Sequence, residues 1–216
     1  MSMDYSTADK YTLYNLDEIV FPGVGKYDIP EIKPEKWCGN TDIIGFNFAA
    51  TAKNRWRKGV HFFVDDYQFE RIWGNWKRYS RLLSEFEYVV APDFSMYTDW
   101  PLAVNLWNHY RRHFCAAYLQ SLGVTVYPKI GWSDERSFDF CFDGEPENSC
   151  VVVSSVGTQR YEDTKKSFLK GYDAMLERLH PETIIFYGEI PKECRGDIVH
   201  IKPFHERFNE ARISGW

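Results

Sequence analysis

Several short apolar runs in this sequence end in carboxylates, a position that suits acid–base or metal chemistry. Asp65 and Asp66 follow the run "GVHFFV", and Asp93 follows "YVVAP". Carboxylates that converge on one site can act as general acids and bases, because burial and mutual repulsion push a pKa upward. They can equally hold Mg²⁺ or Mn²⁺, for which Asp66 and Asp93 are the expected ligands. The candidate catalytic set is Asp65, Asp66, Asp93, Asp134, Glu135 and Glu189.

A purely structural role for these carboxylates stays open. An Asp at the end of a strand often caps the next helix by accepting a hydrogen bond from a backbone N–H. Asp66 before "YQFERIW" and Asp134 before "ERSFDF" are placed to do this. Asp93 is harder to explain as a cap, because it lies several residues before Trp100.

A basic loop, "TAKNRWRKG" at 51–59, is the main candidate for binding an anion. Lys53, Arg55 and Arg57 flank a tryptophan, and guanidinium groups and indole rings suit phosphate oxygens and a stacked base respectively. A charged surface loop that only favours solubility is the alternative. If the preceding strand is parallel to the others, we expect the loop to overhang the carboxylates. If it is antiparallel, the loop lies at the opposite edge.

Other polar residues at strand ends complete the predicted binding set, which adds Asn47, Lys129, Ser154 and Ser155. The last two belong to "SSVGT", whose small residues and backbone amides could cradle a phosphate. Neither the P-loop pattern nor the dinucleotide pattern occurs, which disfavours a P-loop NTPase or a dinucleotide enzyme.

The histidines favour structural roles. His61 alternates within an apolar strand, which is typical of a core histidine. His109 and His113 lie four apart on one predicted helix, so a metal pair is geometrically possible. Because Arg111 and Arg112 stand between them, we expect a solvated basic face instead.

These residues must be positioned by alternating short strands and longer amphipathic helices. The predicted strands are 42–49, 59–65, 88–95, 124–132, 150–157, 183–189 and 197–203. The predicted helices are 66–86, 100–123 and 162–181, with a shorter one near 134–142. This alternation predicts an α/β fold with a mostly parallel sheet of six or seven strands, either an incomplete barrel or doubly wound. About ten residues join the first two strands, so the first strand is expected to be antiparallel or at an edge.

The chain length fits one domain. We expect three parts: an N-terminal arm at 1–41, a single α/β domain at 42–204 and a C-terminal tail at 205–216. The arm is expected to be extended because its prolines oppose helix formation.

The net charge of -5 and pI of about 5.7 argue against a protein that coats nucleic acid. No signal peptide or membrane span is evident, which predicts a soluble protein of the cytoplasm, the host's if the chain is phage-encoded. Five scattered cysteines favour reduced thiols.

Several segments in order resemble one family. They are "GFNFAATAKN", "KGVHFFVDDYQFERIW", "APDFSMYTDWPLA", "GWSDERSFDFCFDG" and "FLKGYDAMLERLHPETIIFYG", over roughly residues 42 to 190. They are similar to a family of bacteriophage and mobile-element proteins catalogued as domain of unknown function 4417. The resemblance implies a phage or mobile-element setting, and it transfers no activity or catalytic residues.

Three functional hypotheses follow. The first is a carboxylate-rich enzyme, for example a hydrolase, acting on a phosphorylated small molecule, a nucleotide or nucleic acid, with Mg or Mn as possible cofactors. The second is a non-catalytic module that binds a nucleotide, nucleic acid or host protein, as a counter-defence protein would. The third is an interaction protein whose tryptophan-rich surface forms an oligomer. The sequence decides neither whether a metal binds nor the oligomeric state.

Overall fold

A computed structural model describes residues 14–16, 19–158 and 161–203. The strands are β1 (Gly23–Val24), β2 (Ile29–Pro30), β3 (Ile43–Gly45), β4 (Gly59–His61), β5 (Tyr88–Val90), β6 (Val126–Tyr127), β7 (Cys150–Ser154), β8 (Thr183–Tyr187) and β9 (Ile198–Ile201). The α-helices are α1 (Phe46–Ala49), α2 (Arg71–Gly74), α3 (Trp76–Leu83), α4 (Leu102–Ser121) and α5 (Glu162–Leu179). Three 3₁₀ helices cover Arg55–Arg57, Asp66–Gln68 and Glu135–Asp139.

Seven parallel strands follow one another in sequence order. One sheet has the order β3-β4-β5-β6 and the other β7-β8-β9, with every neighbouring pair parallel. A parallel bridge between Lys129 and Val152 joins the two sheets just past β6. The predicted parallel α/β fold is confirmed. The order never reverses, as it would in a doubly wound sheet, so the barrel-like alternative describes the topology.

The strands curl around a shared interior. The side chains of His61 and Phe63 at β4 contact Tyr187 of β8, with ring centroids 4.7 and 4.5 Å apart, although three strands separate β4 from β8. Ile43 of β3 and Ile201 of β9 belong to the same buried cluster. A flat sheet would keep these strands far apart, so the sheet is a partly closed barrel. His61 is buried there, as predicted.

Helices cover the outside of the barrel. The stripe of Phe168, Tyr172, Met175 and Leu179 on α5 is buried, as its spacing predicts. This helix ends at His180, which adopts a left-handed conformation with φ 46° just before a proline. The strands of this half, such as β7 with the sequence CVVVS, are apolar on both faces because the helices and the interior each cover one face.

Two predicted elements differ from the structure. The first predicted strand, 42–49, is β3 only as far as Gly45, and its second half turns into α1. β3 is parallel to β4 and lies at the edge of the strand order, so the antiparallel alternative is wrong. The predicted helix at 66–86 is broken at Asn75, which has the non-helical values φ -145° and ψ 52°.

The predicted solvated basic face of α4 is wrong. His109, Arg112 and His113 have no exposed surface, and Arg111 is 7% exposed. The two histidines reach backbone carbonyls of a neighbouring loop and of the N-terminal arm, those of Asp143 and Pro30. Helix α4 is therefore covered by the N-terminal arm and the loop around Asp143, and the sequence pattern does not predict where these segments pack.

The described part of the N-terminal arm packs against the α/β body. The backbone N–H of Ile32 donates to Gly144 O at 2.9 Å, and Glu35 N donates to Ser149 Oγ at 2.9 Å. The tail at 205–216 lies outside the described residues, so the three-part division stays a prediction. Among the described residues no helix is both long and apolar enough to cross a membrane. All five cysteines are free, and Cys115, Cys141 and Cys150 are buried.

Candidate active site

A polar cleft opens at the carboxyl ends of the parallel strands. It consists of two adjoining cavities of about 320 and 470 Å³. Both cavities are lined by Asp93, Ser95, Tyr97, Ser154 and Val156. We call the smaller one the basic end, since Lys129 lines it, and the larger one the acidic end, since Asp65 and Asp66 line it. Ligands bind at this edge in parallel α/β folds.

The strand register brings Asp93 and Lys129 together. Val90 of β5 pairs with Tyr127 of β6, and Asp93 and Lys129 follow these residues by three and two positions. The Lys129 ammonium and the Asp93 carboxylate form an ion pair, with 13% and 22% of their side chains exposed. Both residues were predicted site residues, and the topology makes them neighbours.

A second cation reaches the same carboxylate from below. Arg112 Nη2 lies 4.0 Å from Asp93 Oδ1 and donates to Phe94 O at 3.3 Å. Its Nε and Nη1 make no hydrogen bond within the part of the chain that the structure describes. The two cations therefore share the Asp93 carboxylate within 4.0 Å, and Glu145 acts on Lys129 from farther away, so one close carboxylate faces two positive charges at the basic end of the cleft.

Burial and charge set the protonation of Lys129. Burial lowers the pKa of the Lys129 ammonium below its ordinary value; the Asp93 carboxylate raises this pKa and the Arg112 guanidinium lowers it. Burial is the largest of these effects. Lys129 thus gives up its proton more easily than an exposed lysine, which is a property of lysines that act as acids or bases.

Gly131 allows both cations to approach the cleft. A Cβ at this position would lie 2.5 Å from Lys129 Nζ, 3.2 Å from Arg112 Nη2 and 3.3 Å from Arg112 Nη1. Because the hydrogen of glycine leaves this space open, the ammonium and the guanidinium lie side by side directly beneath a residue that lines the basic end.

Asp66 points into the acidic end instead of capping a helix. Its carboxylate accepts hydrogen bonds from Ser95 N at 3.1 Å and from Ser95 Oγ at 2.7 Å. Burial raises the pKa of Asp66, the Ser95 bonds lower it, and the charges of Asp93 and Glu70 raise it further. The net direction is upward, which favours a carboxyl group that exchanges protons nearer neutral pH.

Aromatic side chains surround the acidic end. Tyr67 is 79% exposed and Tyr97 is 51% exposed. Tyr97 packs edge-on against Trp100, with the ring centroids 4.7 Å apart. All three residues line this cavity together with the exposed Asp65. Exposed rings beside a charged cleft are surfaces on which a planar base can stack.

The loop after β7 forms the far wall of the basic end. Ser154, Val156, Gly157 and Thr158 line it opposite Lys129. Ser155 does not, because its hydroxyl donates to Glu189 O at 2.6 Å and its backbone N–H to Tyr187 O at 3.1 Å. Of the two predicted serines, Ser154 therefore lines the cleft and Ser155 fastens the loop to β8.

The basic loop lies at the opposite edge of the sheet. Arg55 donates to the carbonyls of Ala49 at 3.1 Å and Ala50 at 2.6 Å, and it pairs with Glu85, which precedes β5. Arg57 stacks over the ring of Trp56 at 4.3 Å. The expectation that a parallel β3 would hold this loop over the carboxylates is wrong, because the chain has returned to the amino end of β4 by Arg55.

The remaining predicted residues do not line the cleft. Lys53 is exposed on the basic loop, and Asn47 is exposed on α1. Asp134 caps the 3₁₀ helix by accepting from Arg136 N at 2.9 Å, and the Arg136 hydrogen bond lowers its pKa. Glu135 pairs with Lys170 on the surface. Glu189 is exposed and has no contact with either cavity.

Sequence reasoning missed Arg112 and the aromatic residues. The sequence does contain a signal for Arg112. Leu119 and Ala116 are buried on α4, and helical spacing from them toward the start of the helix leads to Arg112 and then Asn105 on the same face. A cation on such a face indicates a buried charge with a partner. Ser95 is the last residue of the predicted strand 88–95, and its importance comes from its contact with Asp66.

The fold and the cleft define a class of protein. It is an α/β protein whose parallel strands follow in sequence order and carry a polar cleft at their carboxyl ends. The family described as Domain of unknown function (DUF4417) matches residues 21–205, and the chain belongs to this family. The resemblance recognised in the sequence is confirmed, and the match includes much of the N-terminal arm.

Two phage proteins are similar to the chain. The "Gene 1 protein" of Mycobacterium phage D29 is 35% identical over 188 residues, which are 84% of this chain and 67% of that protein. The "Gene 1 protein" of Mycobacterium phage L5 is 34% identical over 210 residues, which are 94% of this chain and 89% of that protein. No solved structure is significantly similar. The relatives support the phage setting that the sequence implies.

Proposed function

We propose that the protein is an enzyme that acts on a phosphorylated small molecule, with a nucleotide as the best-fitting class. The observation that carries this proposal is the pair of cations, Lys129 and Arg112, that share the single carboxylate of Asp93 at the basic end. A bound phosphate would compensate the excess positive charge, since buried charges need partners.

The size and lining of the cleft favour a small molecule over a nucleic acid. Cavities of about 320 and 470 Å³ are within the range of small-molecule sites. The basic loop that would follow a nucleic-acid backbone lies at the other edge. The exposed rings of Tyr67 and Tyr97, with the half-buried Trp100 beside them, would stack a base at the acidic end while Lys129 holds the phosphate.

Asp66 supports catalysis rather than binding alone. Its carboxyl group has a raised pKa and a fixed orientation through Ser95, which suits a general acid or base. Lys129, whose pKa is lowered, supplies a second proton-transfer group in the same cleft. A divalent ion that enters with the substrate phosphate would meet Asp66, because Asp93 is already engaged by Lys129.

The second candidate is a module that binds a nucleotide without turnover, which the aromatic residues at the acidic end favour. One experiment separates the two: incubate wild type and Asp66→Asn with a panel of nucleotides and sugar phosphates, with and without Mg²⁺, and follow products by chromatography and binding by calorimetry. The proposal expects turnover by wild type and binding without turnover by Asp66→Asn. Binding without turnover by both proteins supports the module, and no binding by either overturns both.

A further inference from the structure

Three buried side chains with metal-ligand chemistry meet on α4, on the side away from the cleft mouth. His109 and His113 lie one helical turn apart, and Glu145 comes from the loop after the 3₁₀ helix Glu135–Asp139. His113 Nε2 lies 3.1 Å from Glu145 Oε1. One ligand atom from each of the three side chains lies within 4.8 Å of the other two. All three residues are buried.

Backbone carbonyls fix the orientation of both imidazole rings. His113 Nδ1 lies 2.8 Å from Pro30 O, and His109 Nε2 lies 3.1 Å from Asp143 O. A carbonyl oxygen can only accept a hydrogen bond, so these two nitrogens carry the protons. His113 Nε2 and His109 Nδ1 therefore carry no proton, and each can offer its lone pair to a metal ion. An outer hydrogen bond of this kind to a carbonyl accompanies most metal-binding histidines.

Two atoms of the cluster lack partners. His109 Nδ1 and Glu145 Oε2 are buried and make no hydrogen bond within the described ranges of the chain. Buried polar atoms are nearly always partnered, so two such atoms in one cluster point to a missing ligand. Arg112 on α4 is directed to Asp93, so Glu145 Oε2 is left for that ligand.

We propose that His109, His113 and Glu145 bind a structural divalent metal, with Zn²⁺ as the best-fitting ion. Two imidazole nitrogens and a carboxylate are donors that Zn²⁺ accepts, and binding through both Glu145 oxygens completes four donor atoms. With Zn–ligand distances of about 2.0–2.2 Å, tetrahedral ligand atoms lie roughly 3.3 Å apart. The His113–Glu145 separation of 3.1 Å already meets this distance, and the His109 nitrogen, within 4.8 Å of the other two ligand atoms, would move toward them.

The ion would fasten the N-terminal arm to the body. His113 is tied to Pro30 in β2, and Glu145 follows Gly144, whose carbonyl accepts from Ile32 N at 2.9 Å. Because structural metal binding contributes free energy to folding, loss of the ion should destabilise the protein. Full burial excludes an open coordination position, which separates this site from catalytic zinc sites.

The competing arrangement is an ion pair between protonated His113 and Glu145. It satisfies Glu145 Oε1 and leaves His109 Nδ1 without a partner. The two arrangements differ in metal content and in their response to a chelator. The full-length protein should therefore be purified without metal-affinity steps, analysed by inductively coupled plasma mass spectrometry, and then stripped and titrated with Zn²⁺ and Co²⁺.

The proposal expects about one equivalent of metal per chain, a melting temperature lowered by the chelator, and Co²⁺ bands of a four-coordinate nitrogen–oxygen site. His109→Gln and Glu145→Gln should each weaken Co²⁺ binding at least tenfold, whereas the matched control His200→Gln should bind as wild type does. His200 is exposed on β9. If the cluster variants fail to fold, the wild-type Co²⁺ spectrum decides. Absence of Co²⁺ bands, a cobalt–thiolate band, or full binding by folded cluster variants overturns the proposal.

Discussion

Lys129 and Asp93 form an ion pair between neighbouring strand ends, and Arg112 approaches the same carboxylate from beneath to 4.0 Å. The net charge of the protein is negative, whereas two cations lie together at this end of the cleft. Because two cations share this carboxylate, we propose that an anionic group binds there, at the edge where parallel α/β folds bind their ligands.

Removing the shared carboxylate should destabilise the protein. We expect Asp93→Asn to lower the free energy of unfolding by about 3 kcal/mol, because a buried cation without its partner is costly. Urea unfolding in a low-salt buffer measures this change. Sulfate should recover more of the loss than sodium chloride of equal ionic strength, since sulfate can lie next to both cations.

The matched control for this prediction is Asp42→Asn. Asp42 pairs with Lys58 at the opposite edge, and half of its side chain is exposed. Exposed pairs contribute under about 1 kcal/mol, so this variant should unfold almost as wild type does. Equal losses in the two variants, with no specific effect of sulfate, would contradict the view of Asp93 as a buried counter-ion.

Ionisation of Asp66 should make the folded protein less stable as the pH rises. Burial raises the pKa of Asp66, so the folded protein holds this proton more tightly than the unfolded chain does. The stabilisation is complete below the unfolded pKa and is lost as the pH rises through the folded pKa. Asp66→Asn should therefore be more stable than wild type at about pH 8, with a difference that shrinks toward about pH 4.

Asp134→Asn provides a control of opposite sign. The hydrogen bond from Arg136 lowers the pKa of Asp134, so its stabilisation is present above the unfolded pKa and lost as the pH falls. This variant should be slightly less stable than wild type at about pH 8 and equal to it in acid. Thermal unfolding across this pH range measures both variants, and a common sign would contradict the assigned environments.

Adding one methyl group at Gly131 should weaken phosphate binding. The Cβ of Gly131→Ala would lie 2.5 Å from Lys129 Nζ, so the flexible lysine end must move away. We expect affinity for phosphorylated ligands to fall roughly tenfold, the loss of one charged hydrogen bond, with a small change in melting temperature. Gly74→Ala, whose Cβ would meet nothing within 4 Å, should bind as wild type does.

Arg55 should matter for stability and not for ligand binding. Its guanidinium donates to the carbonyls of Ala49 and Ala50, the last residues of the turn formed by α1. Arg55→Met should cost about 1–2 kcal/mol of unfolding free energy, since it removes several such bonds. Arg57→Met, which loses a stacking contact with Trp56, should cost less. Weaker ligand binding in either variant would contradict the position of this loop.

The strand ends could be predicted from the sequence, because apolar runs and helical spacing locate them along the chain. Asp93, Lys129 and Ser154 each lie in the second half of a predicted strand, and parallel pairing brings them to one edge. Arg55 shows where this reasoning fails. The segment 42–49 is apolar throughout, and periodicity does not distinguish three strand residues followed by a helical turn from one long strand.

Arg112 shows a second limit. It is buried against Asp93 and Phe94, while the N-terminal arm and the loop around Asp143 cover the neighbouring His113 and His109 from positions distant in sequence. The local sequence pattern of a helix does not show which distant segments will pack on it. Charged residues in a helix are therefore expected to face solvent. The same limit applies to His109 and His113, for which the sequence alone favours a solvated face over a metal site.

The central claim is that Lys129, with the buried charge of Arg112 behind it, binds the phosphate of a small ligand. Isothermal titration of wild type, Lys129→Met and Lys53→Met with nucleoside monophosphates and inorganic phosphate tests it most directly. Lys53 is an exposed cation on the distant basic loop and serves as the matched control. We predict equal binding by wild type and Lys53→Met and affinity at least about tenfold weaker for Lys129→Met. Equal affinity in all three proteins, or no binding by any, would contradict the claim.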